Sequence, residues 1–361
     1  MTGSETHLVF SHESLLQFTV ECFSRAGFEE SKALFIAETL IEADLRGLNT
    51  HGVIRIPMYL DRVKLGMIDP LAETKVILDQ GSFAILDAQN GMGQIASQLA
   101  MEMALEKAKS SAIALVGVRN SNHFGTAAYY SMMALEKKAI GICCSNTEPL
   151  MPAPGGAKAV VGNNPFSVAI PAKNRLPIVV DMATSAAAIG KIMLAQKRGN
   201  SIPPGWATDR FGNDTTDPEK ALDGGMLLPV GGPKGYGISI IIDVLAGILM
   251  GSGFGEKVKS PLKDLENRQR AGHLFMAINI ESFLPVDQFC SHVDDLIDQV
   301  KNGPKAAGVK EVFLPGEIEY HTKNRRLKEG IPLPQDLVQQ LEAYGKDLGV
   351  KSSLREKRLI F

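Results

Sequence analysis

Short apolar runs alternate with segments of helical periodicity between residues 74 and 250, and this alternation constrains the fold more than any other feature. Strands are predicted over residues 74–78, 83–87, 112–118, 139–144, 160–169 and 177–181. Helices are predicted between or after them, notably over 94–109 and 236–249. Alternating strands and helices predict an α/β core. A chain of 361 residues exceeds a single hydrophobic core, so two or more structural units are expected.

Both ends of the chain are predicted to be helical. Ser11 is a plausible helix N-cap, and residues 29–45 and 51–65 carry apolar side chains at helical spacing. Near the C-terminus, residues 334–348 repeat this periodicity, with apolar side chains on one face. We therefore expect an N-terminal helical segment (1–72), an α/β core (73–320), and a C-terminal segment (321–361) that packs back on the first.

Composition excludes several classes of protein. The 38 basic and 40 acidic side chains leave a formal charge of −2, which gives no general attraction to nucleic acid or to an anionic membrane. Four cysteines cannot form a disulfide scaffold, which favours a reducing compartment, and the scattered histidines do not predict a metal site. No run reaches the roughly 20 apolar residues of a membrane span. We expect a cytoplasmic protein without a targeting segment.

A glycine-rich turn, Gly91-Met92-Gly93-Gln94-Ile95-Ala96, has the G-x-G-x-x-A spacing of Rossmann dinucleotide-binding folds. In those folds the glycines admit a pyrophosphate to a helix N-terminus, and an acidic residue about 20 positions further on binds the ribose. Here the next predicted strand ends in Arg119-Asn120-Ser121, without an acidic residue. We interpret the turn as an ordinary connection and not as a cofactor site.

The segment Thr50-His51-Gly52, followed by Arg55, is a polar interruption of apolar helical sequence. His51 and Arg55 stand four residues apart, so a helix would place both on one face. Arg55 could then bind the carboxylate of a 2-oxo acid, while His51 exchanges a proton with the adjacent oxygen and the Thr50 hydroxyl orients the ring. The same pattern also fits a histidine that bonds backbone at a helix break, and the segment alone does not separate the two.

Three further polar segments could either bind a ligand or merely cap a helix. Each follows an apolar run or contains a glycine-rich turn, where ligands commonly bind in α/β folds. They are Arg119-Asn120-Ser121-Asn122-His123-Phe124-Gly125-Thr126-Ala127, Asp181-Met182-Ala183-Thr184-Ser185, and Pro229-Val230-Gly231-Gly232-Pro233-Lys234-Gly235-Tyr236-Gly237. The last lacks a Ser or Thr after its lysine and is therefore not a Walker A loop.

In this order, these segments resemble the malate/L-lactate dehydrogenase family, which is distinct from the Rossmann-fold malate and lactate dehydrogenases. The resemblance extends from about Arg46 to Glu317, over most of the chain. It also includes Pro154-Gly155-Gly156, Gly162-Asn163-Asn164-Pro165, Gly190-Lys191, Pro204-Gly205-Trp206-Ala207 and Pro315-Gly316-Glu317. So many matches in order are highly specific.

The resemblance implies a non-Rossmann, NAD(P)-binding α/β fold and a homodimer with its active sites near the subunit interface. It implies His51 as proton donor and acceptor, Arg55 on the substrate carboxylate and Thr50 as a hydroxyl relay. Some members of the family use the histidine equivalent to His123 as the acid/base, so two histidines compete for that role. The cofactor would be surrounded by His123, Phe124, Gly125, Thr126, Ala127, Asp181, Met182, Ala183, Lys234, Gly235, Pro315, Gly316 and Glu317.

The chain departs from the family pattern at Thr50, where a serine is common, and at Asn163, where a threonine is usual. The first change keeps a hydroxyl, and the second is expected to face the substrate and tune its selection. The sequence therefore predicts an NAD(P)-dependent dehydrogenase for a small 2-oxo acid, with oxaloacetate/malate as the first choice and NAD as the cofactor, NADP remaining open. The alternatives are L-lactate, ureidoglycolate or another 2-hydroxy acid, a cyclic imino acid reduced at the same site, or a catalytically silent dinucleotide-binding or regulatory protein.

Overall fold

The computed structural model describes residues 7–352 and 354. Their strands are β1 His7–Phe10, β2 Lys75–Gln80, β3 Phe83–Asp87, β4 Ile113–Ser121, β5 Ala139–Ser145, β6 Met151–Pro152, β7 Ala159–Val161, β8 Phe166–Ile170, β9 Ile178–Met182, β10 Ala207–Thr208, β11 Asp214–Thr215, β12 Met226–Leu227, β13 Ala271–Asn279 and β14 Ile331–Pro334. Their α-helices are α1 His12–Arg25, α2 Glu30–Leu45, α3 Ile56–Lys64, α4 Gly93–Ser111, α5 Ala127–Glu136, α6 Ile189–Lys197, α7 Pro218–Leu222, α8 Pro233–Ile242, α9 Val286–Asn302, α10 Glu317–Glu329 and α11 Gln335–Asp347.

A seven-stranded mixed sheet forms the centre of the α/β core, in the order β2-β3-β4-β13-β5-β8-β9. Strands β3 and β4 run parallel, and every other neighbouring pair in this sheet is antiparallel. A Rossmann sheet is mostly parallel, because its strands are joined by helical crossovers. The predicted α/β class and the non-Rossmann topology are both confirmed.

Helices α4 and α5 cover one face of this sheet. Alanines 96, 100, 104 and 108 repeat every four residues along α4 and are buried, which lets the helix approach β4 and β13 closely. The other face is covered by α8 and the π-helical turn Asp243–Ile248 that continues it. Glycine is required there, since a Cβ at Gly272 would lie 1.9 Å from the Ala246 carbonyl oxygen.

The two ends of the described chain pack together. Strand β1 pairs antiparallel with β14, and α1, α2, α3 and α11 enclose a second core that contains Phe23, Tyr59 and Leu341. Ser11 caps α1, accepting the N–H of Ser14 at 3.2 Å, as the sequence predicts. The expected segments 1–72 and 321–361 include residues 1–6, 353 and 355–361, which lie outside the described residues.

Two predicted elements of the α/β core are wrong in detail. Residues 160–169 are not one strand, because the turn Gly162-Asn163-Asn164-Pro165 separates β7 from β8. Asn164 is buried in that turn and accepts the N–H of Thr147 at 2.9 Å, a long-range contact that local periodicity does not report. The predicted helix 236–249 begins earlier, at Pro233, and continues as a π-helical turn.

The four cysteines have free, buried thiols. Among residues 7–352 and 354, no helix has the length and apolar character to cross a membrane. In the same part of the chain, no three His, Cys, Asp or Glu side chains are grouped to hold a metal ion.

Candidate active site

The Thr50–Arg55 segment is not helical as predicted. Two 3-10 turns, Asn49–His51 and Val53–Arg55, meet at Gly52, whose extended ψ of −146° interrupts the path before α3 begins. A Cβ at Gly52 would lie 2.0 Å from the buried carboxylate of Asp44, which accepts the Val53 N–H at 2.8 Å. Burial raises the pKa of Asp44 to about 7. This carboxyl group therefore fixes the second turn and excludes any larger residue at position 52.

The predicted catalytic side chains nevertheless lie together. Thr50 Oγ1 is 2.9 Å from His51 Nδ1, and Arg55 Nε donates to the Thr50 carbonyl oxygen at 2.6 Å. That contact uses one of the five N–H donors of the guanidinium. The tight pair of turns, and not a shared helix face, brings the imidazole and the guanidinium to one place.

His123 lies beside Thr50, His51 and Arg55, with its ring stacked on that of His51. Its ring lies 5.6 Å from that of His51 between centroids, with the two planes 22° apart. The backbone N–H of His123 donates to Gln269 Oε1 at 2.7 Å, and its Nδ1 lies 2.6 Å from the hydroxyl of Tyr59 on α3. The two competing histidines therefore face the same space.

Burial and the neighbouring cation keep both imidazoles neutral. Burial, with a smaller effect from Arg55, lowers the pKa of His51 to about 4. The same two causes, with His51 next, lower the pKa of His123 well below its ordinary 6.5. His51 remains half-buried, so a small molecule can reach it. A neutral imidazole can accept a proton from a hydroxyl group, and an anion bound at Arg55 would favour its protonated form.

Asp181, at the end of β9, contacts the first turn of α5. Its Oδ2 accepts the Ala128 N–H at 3.2 Å, so the predicted segments 123–127 and 181–183 adjoin. Burial raises the pKa of this carboxyl to about 6, against the opposing effects of the Ala128 N–H and Arg46. The structure thus joins two segments that are 53 residues apart in the chain.

A cavity of about 380 Å³ lies beside Asp181. Pro315 and Gly316 form part of its wall, so it contains residues from two of the predicted cofactor segments. Its other lining residues are Arg46, Leu48, Ala128, Val179, Val180, Phe313, Leu314, Ile318 and Glu319. Apolar walls with a few charged groups suit a nucleoside.

Glu317 points away from this cavity into the protein. Its carboxylate accepts from Lys301 Nζ at 2.7 and 2.9 Å and from the Leu314 N–H at 3.0 Å. Gly316 beside it has a φ of +93°, and a Cβ there would lie 2.9 Å from Val179 Cβ. Through these bonds Glu317 stabilises the turn in which Pro315 and Gly316 line the cavity.

Lys234 and Gly235 lie in the first turn of α8, with Lys234 exposed to solvent. The loop before them is anchored where Val230 N donates to the Thr184 carbonyl oxygen at 2.9 Å. Thr184 N in turn donates to the Asn163 carbonyl oxygen at 2.8 Å. Lys234, Gly235 and Asn163 are thus connected through the segment that follows Met182 and Ala183, and no hydrogen bond between described residues links them directly to His51.

Asn163 and Thr50, the two departures from the family pattern, each contact another segment of the chain. Thr147 Oγ1 donates to Asn163 Oδ1 at 2.9 Å, which leaves the Asn163 amide nitrogen as the donor side of the group. A Cβ at Gly190 would lie 3.1 Å from Thr50 Cγ2, so the start of α6 closes over the Thr50 side chain.

The turn Gly91–Ala96 packs against the loop that carries His123. A Cβ at Gly93 would lie 2.2 Å from the Asn122 carbonyl oxygen, so this glycine admits the backbone of the His123 loop. Gln94, from the same turn, is fully buried and donates to the Tyr59 hydroxyl at 3.0 Å.

Sequence reasoning misses Tyr59, Gln94, Gln269 and Glu148. Glu148 accepts from Ser260 Oγ at 3.1 Å and is close enough to Arg55 for the two charges to interact. Burial raises the pKa of Glu148. In the sequence, a polar residue at an otherwise apolar helical position could have indicated such a role. Gln94 is a residue of this kind, whereas Tyr59, Gln269 and Glu148 are not.

The sequence pattern of the malate/L-lactate dehydrogenase family matches residues 10–342. A malate dehydrogenase of Pyrococcus abyssi is 38% identical over 354 residues, which cover 96% of this chain and 97% of that protein. The ureidoglycolate dehydrogenase (NAD(+)) of Escherichia coli O157:H7 is 34% identical, over 92% of this chain and 94% of its own length.

The L-sulfolactate dehydrogenase of Methanocaldococcus jannaschii is 39% identical over 95% of this chain and 98% of its own length. The solved structure of sulfolactate dehydrogenase from this organism superimposes with a TM-score of 0.90 at 38% identity. That superposition covers 95% of this chain and 98% of the other.

Proposed function

The chain belongs to the malate/L-lactate dehydrogenase family and is a 2-hydroxyacid dehydrogenase, and we propose that it interconverts a small 2-oxo acid and its 2-hydroxy acid at the Thr50–Arg55 segment, with oxaloacetate/malate as the first substrate pair. The observation that carries the proposal is the convergence of His51, Arg55 and His123 on one space. A carboxylate receptor beside a neutral imidazole is what this reaction requires of a protein.

In the proposed reaction Arg55 binds the substrate carboxylate through paired hydrogen bonds and so fixes the orientation of the neighbouring carbon. His51 gives a proton to the carbonyl oxygen in reduction and takes one from the hydroxyl in oxidation. Because His51 Nδ1 lies against Thr50, Nε2 is the nitrogen that meets the substrate. The nicotinamide, when bound, supplies or accepts the hydride at the substrate carbon.

The substrate is tested by turnover. Purified enzyme is given NADH with oxaloacetate, pyruvate, 3-sulfopyruvate or a cyclic imino acid, and oxidation of NADH is followed by absorbance. We expect turnover of the 2-oxo acids, with the highest kcat/KM for oxaloacetate. Exclusive turnover of the cyclic imine would overturn the proposed substrate class, and no turnover of any compound would favour a silent nucleotide-binding protein.

NAD is the proposed cofactor, and the charges around the 380 Å³ cavity support it. Apolar side chains from β9 and α10 line a slot for an adenine ring, and Asp181 and Glu319 can accept hydrogen bonds from a ribose diol. The 2′-phosphate of NADP would face these two carboxylates, with only Arg46 among the lining residues to offset them.

Reversing one of these charges should relax the preference. In Glu319→Lys we expect the ratio of kcat/KM for NADPH to that for NADH to rise about tenfold or more, since a carboxylate is replaced by a phosphate-binding ammonium. Glu329→Lys, on the exposed last turn of the same helix, is the matched control. An equal ratio in the two variants would place the 2′ position elsewhere.

A homodimer is part of the proposal, and the outer face of α8 with its π-helical continuation supports it. Residues 238–249 expose six aliphatic side chains, two of them to nearly 60%, next to the turn that carries Lys234. They are Ile238, Ile240, Ile241, Val244, Ile248 and Leu249. Exposed aliphatic side chains concentrated in one short helical stretch indicate an association site. Light scattering of the wild-type protein is expected to give twice the mass of the chain. The Ile241→Asp variant is expected to be a monomer. A monomeric wild-type protein would contradict the proposed homodimer.

A further inference from the structure

A chain of buried hydrogen bonds lies behind His123, and the proposed reaction does not use it. Gln94 Nε2 donates to the Tyr59 hydroxyl at 3.0 Å, and that hydroxyl is 2.6 Å from His123 Nδ1. Tyr59 and Gln94 are both fully buried. The backbone N–H of Gly125 is directed at the same Nδ1 at the longer distance of 3.4 Å.

The directions of these bonds locate the proton on the ring. A backbone N–H can only donate, so Gly125 requires Nδ1 to be an acceptor. With the Gln94 amide oriented so that its nitrogen faces Tyr59, the Tyr59 oxygen receives a hydrogen from Gln94 and leaves its own hydrogen for Nδ1. A neutral imidazole carries one N–H, and here it must be on Nε2, the nitrogen away from Tyr59. Burial also raises the pKa of the Tyr59 phenol, so its proton stays in place.

We propose that Tyr59, oriented by Gln94, is a positioning residue that holds His123 as the Nε2–H tautomer, so that His123 donates a hydrogen bond to the reacting oxygen while His51 exchanges the proton. This inference rests on the proposed function for its consequence, but not for the tautomer itself. It divides the work of the two stacked histidines: His51, beside the Thr50 hydroxyl, gains and loses a proton, and His123 stays neutral throughout.

The wild-type enzyme tests the tautomer directly. In the ¹⁵N spectrum of protein labelled at histidine, we expect His123 to show an unprotonated Nδ1 and a protonated Nε2 at neutral pH. Loss of the signals in His123→Asn assigns them among the seven histidines. A proton on Nδ1 would overturn the inference, whatever the activity of the enzyme; Gln94 would then present its oxygen to Tyr59, and the chain of bonds would run in reverse.

Tyr59→Phe removes the phenol O–H and preserves the ring. We expect a mixture of both His123 tautomers and a kcat about tenfold lower, the size of one lost hydrogen bond in the transition state, with KM little changed. Tyr344→Phe is the matched control, because its hydroxyl donates to Asp61, also on α3, at 2.8 Å and lies outside the proposed site. It should leave both kcat and the His123 spectrum unchanged.

Two results would contradict the role of Tyr59. One is an unaltered His123 spectrum in Tyr59→Phe, and the other is an equal loss of kcat in Tyr59→Phe and Tyr344→Phe. Should Tyr59→Phe not fold, Gln94→Met removes the donor that orients the phenol, and it too should alter the His123 spectrum. If the wild type reduces no 2-oxo acid, the proposed function fails while the spectrum still decides the tautomer.

Discussion

Replacing His51 with alanine is expected to lower kcat for reduction of the 2-oxo acid by about a hundredfold or more, the usual contribution of a general acid. The variant removes the imidazole that lies beside Thr50 and faces His123. His123 is a poor substitute because its Nδ1 is already engaged by Tyr59. The measurement is steady-state kinetics with NADH at saturating substrate.

His292→Ala, on the exposed face of α9, is the control and should retain wild-type kcat. A His51→Ala enzyme with near-wild-type kcat across the pH range would remove His51 from the reaction. His123→Ala with a loss equal to that of His51→Ala, and with the same change in pH profile, would show that the two histidines act as one unit.

The pH dependence of oxidation also tests the role of His51, and its direction follows from the pKa of that residue. Oxidation of the hydroxy acid requires a neutral His51, and a pKa of about 4 keeps the ring neutral as the pH falls through the ordinary histidine value of 6.5. We expect kcat/KM for the hydroxy acid to show no loss around that value and to fall only as the pH approaches 4. A decline centred near 6.5 would show an unperturbed histidine.

Arg55→Lys is expected to raise KM for the 2-oxo acid about tenfold or more, with a smaller effect on kcat. The guanidinium offers a carboxylate two parallel N–H donors, and its Nε contact with the Thr50 carbonyl oxygen fixes that fork. A lysine ammonium keeps the charge but provides neither the fork nor the backbone contact. Losing one charge-assisted hydrogen bond is sufficient for an effect of this size.

Arg325→Lys, exposed on α10, is the matched control for the same chemical change and should leave KM unaltered. If KM in Arg55→Lys stays at the wild-type value while kcat falls, Arg55 acts on the reacting oxygen and not on the carboxylate. An unchanged KM and kcat together would place the substrate carboxylate away from Arg55.

Elements whose signal is local were predictable from the sequence. The run 83–87 is strand β3, and the segment 94–109 lies within α4, which spans Gly93–Ser111. The first is a short apolar run, and the second carries apolar side chains at helical spacing; Ala84 and Leu86 of β3 and the buried alanines of α4 share one core. The period alone therefore reports the structure, without knowledge of the rest of the chain.

Elements decided by distant contacts were not predictable. The helix expected across His51 and Arg55 breaks at Gly52, because the Asp44 carboxylate occupies the space of a Cβ and takes the Val53 N–H. The periodicity of residues 51–65 does not indicate that the Asp44 carboxylate, from the preceding helix, lies against this segment. The glycine beside the histidine was the available signal, since glycine is disfavoured in helix interiors.

The candidate site shows the same division. Thr50, His51 and Arg55 form one short segment and were found together, whereas Tyr59 reads as an ordinary apolar position of α3. Its role in the cluster depends on His123, 64 residues further along the chain. Gln94 lies in a turn that the sequence analysis treats as an ordinary connection, yet this turn packs against the His123 loop and donates to Tyr59.

Transfer of a label from the cofactor to the substrate tests the central claim most directly. Enzyme is incubated with oxaloacetate and NADH that carries deuterium at both C4 positions, and the product is analysed by mass spectrometry. If the Thr50–Arg55 segment is the active site of a 2-hydroxyacid dehydrogenase, the malate formed contains one deuterium, bonded to C2. The His51→Ala enzyme should form this product more slowly by a factor of about a hundred or more. Consumption of NADH without deuterium at C2, or failure of every 2-oxo acid in the panel to accept it, would contradict the account.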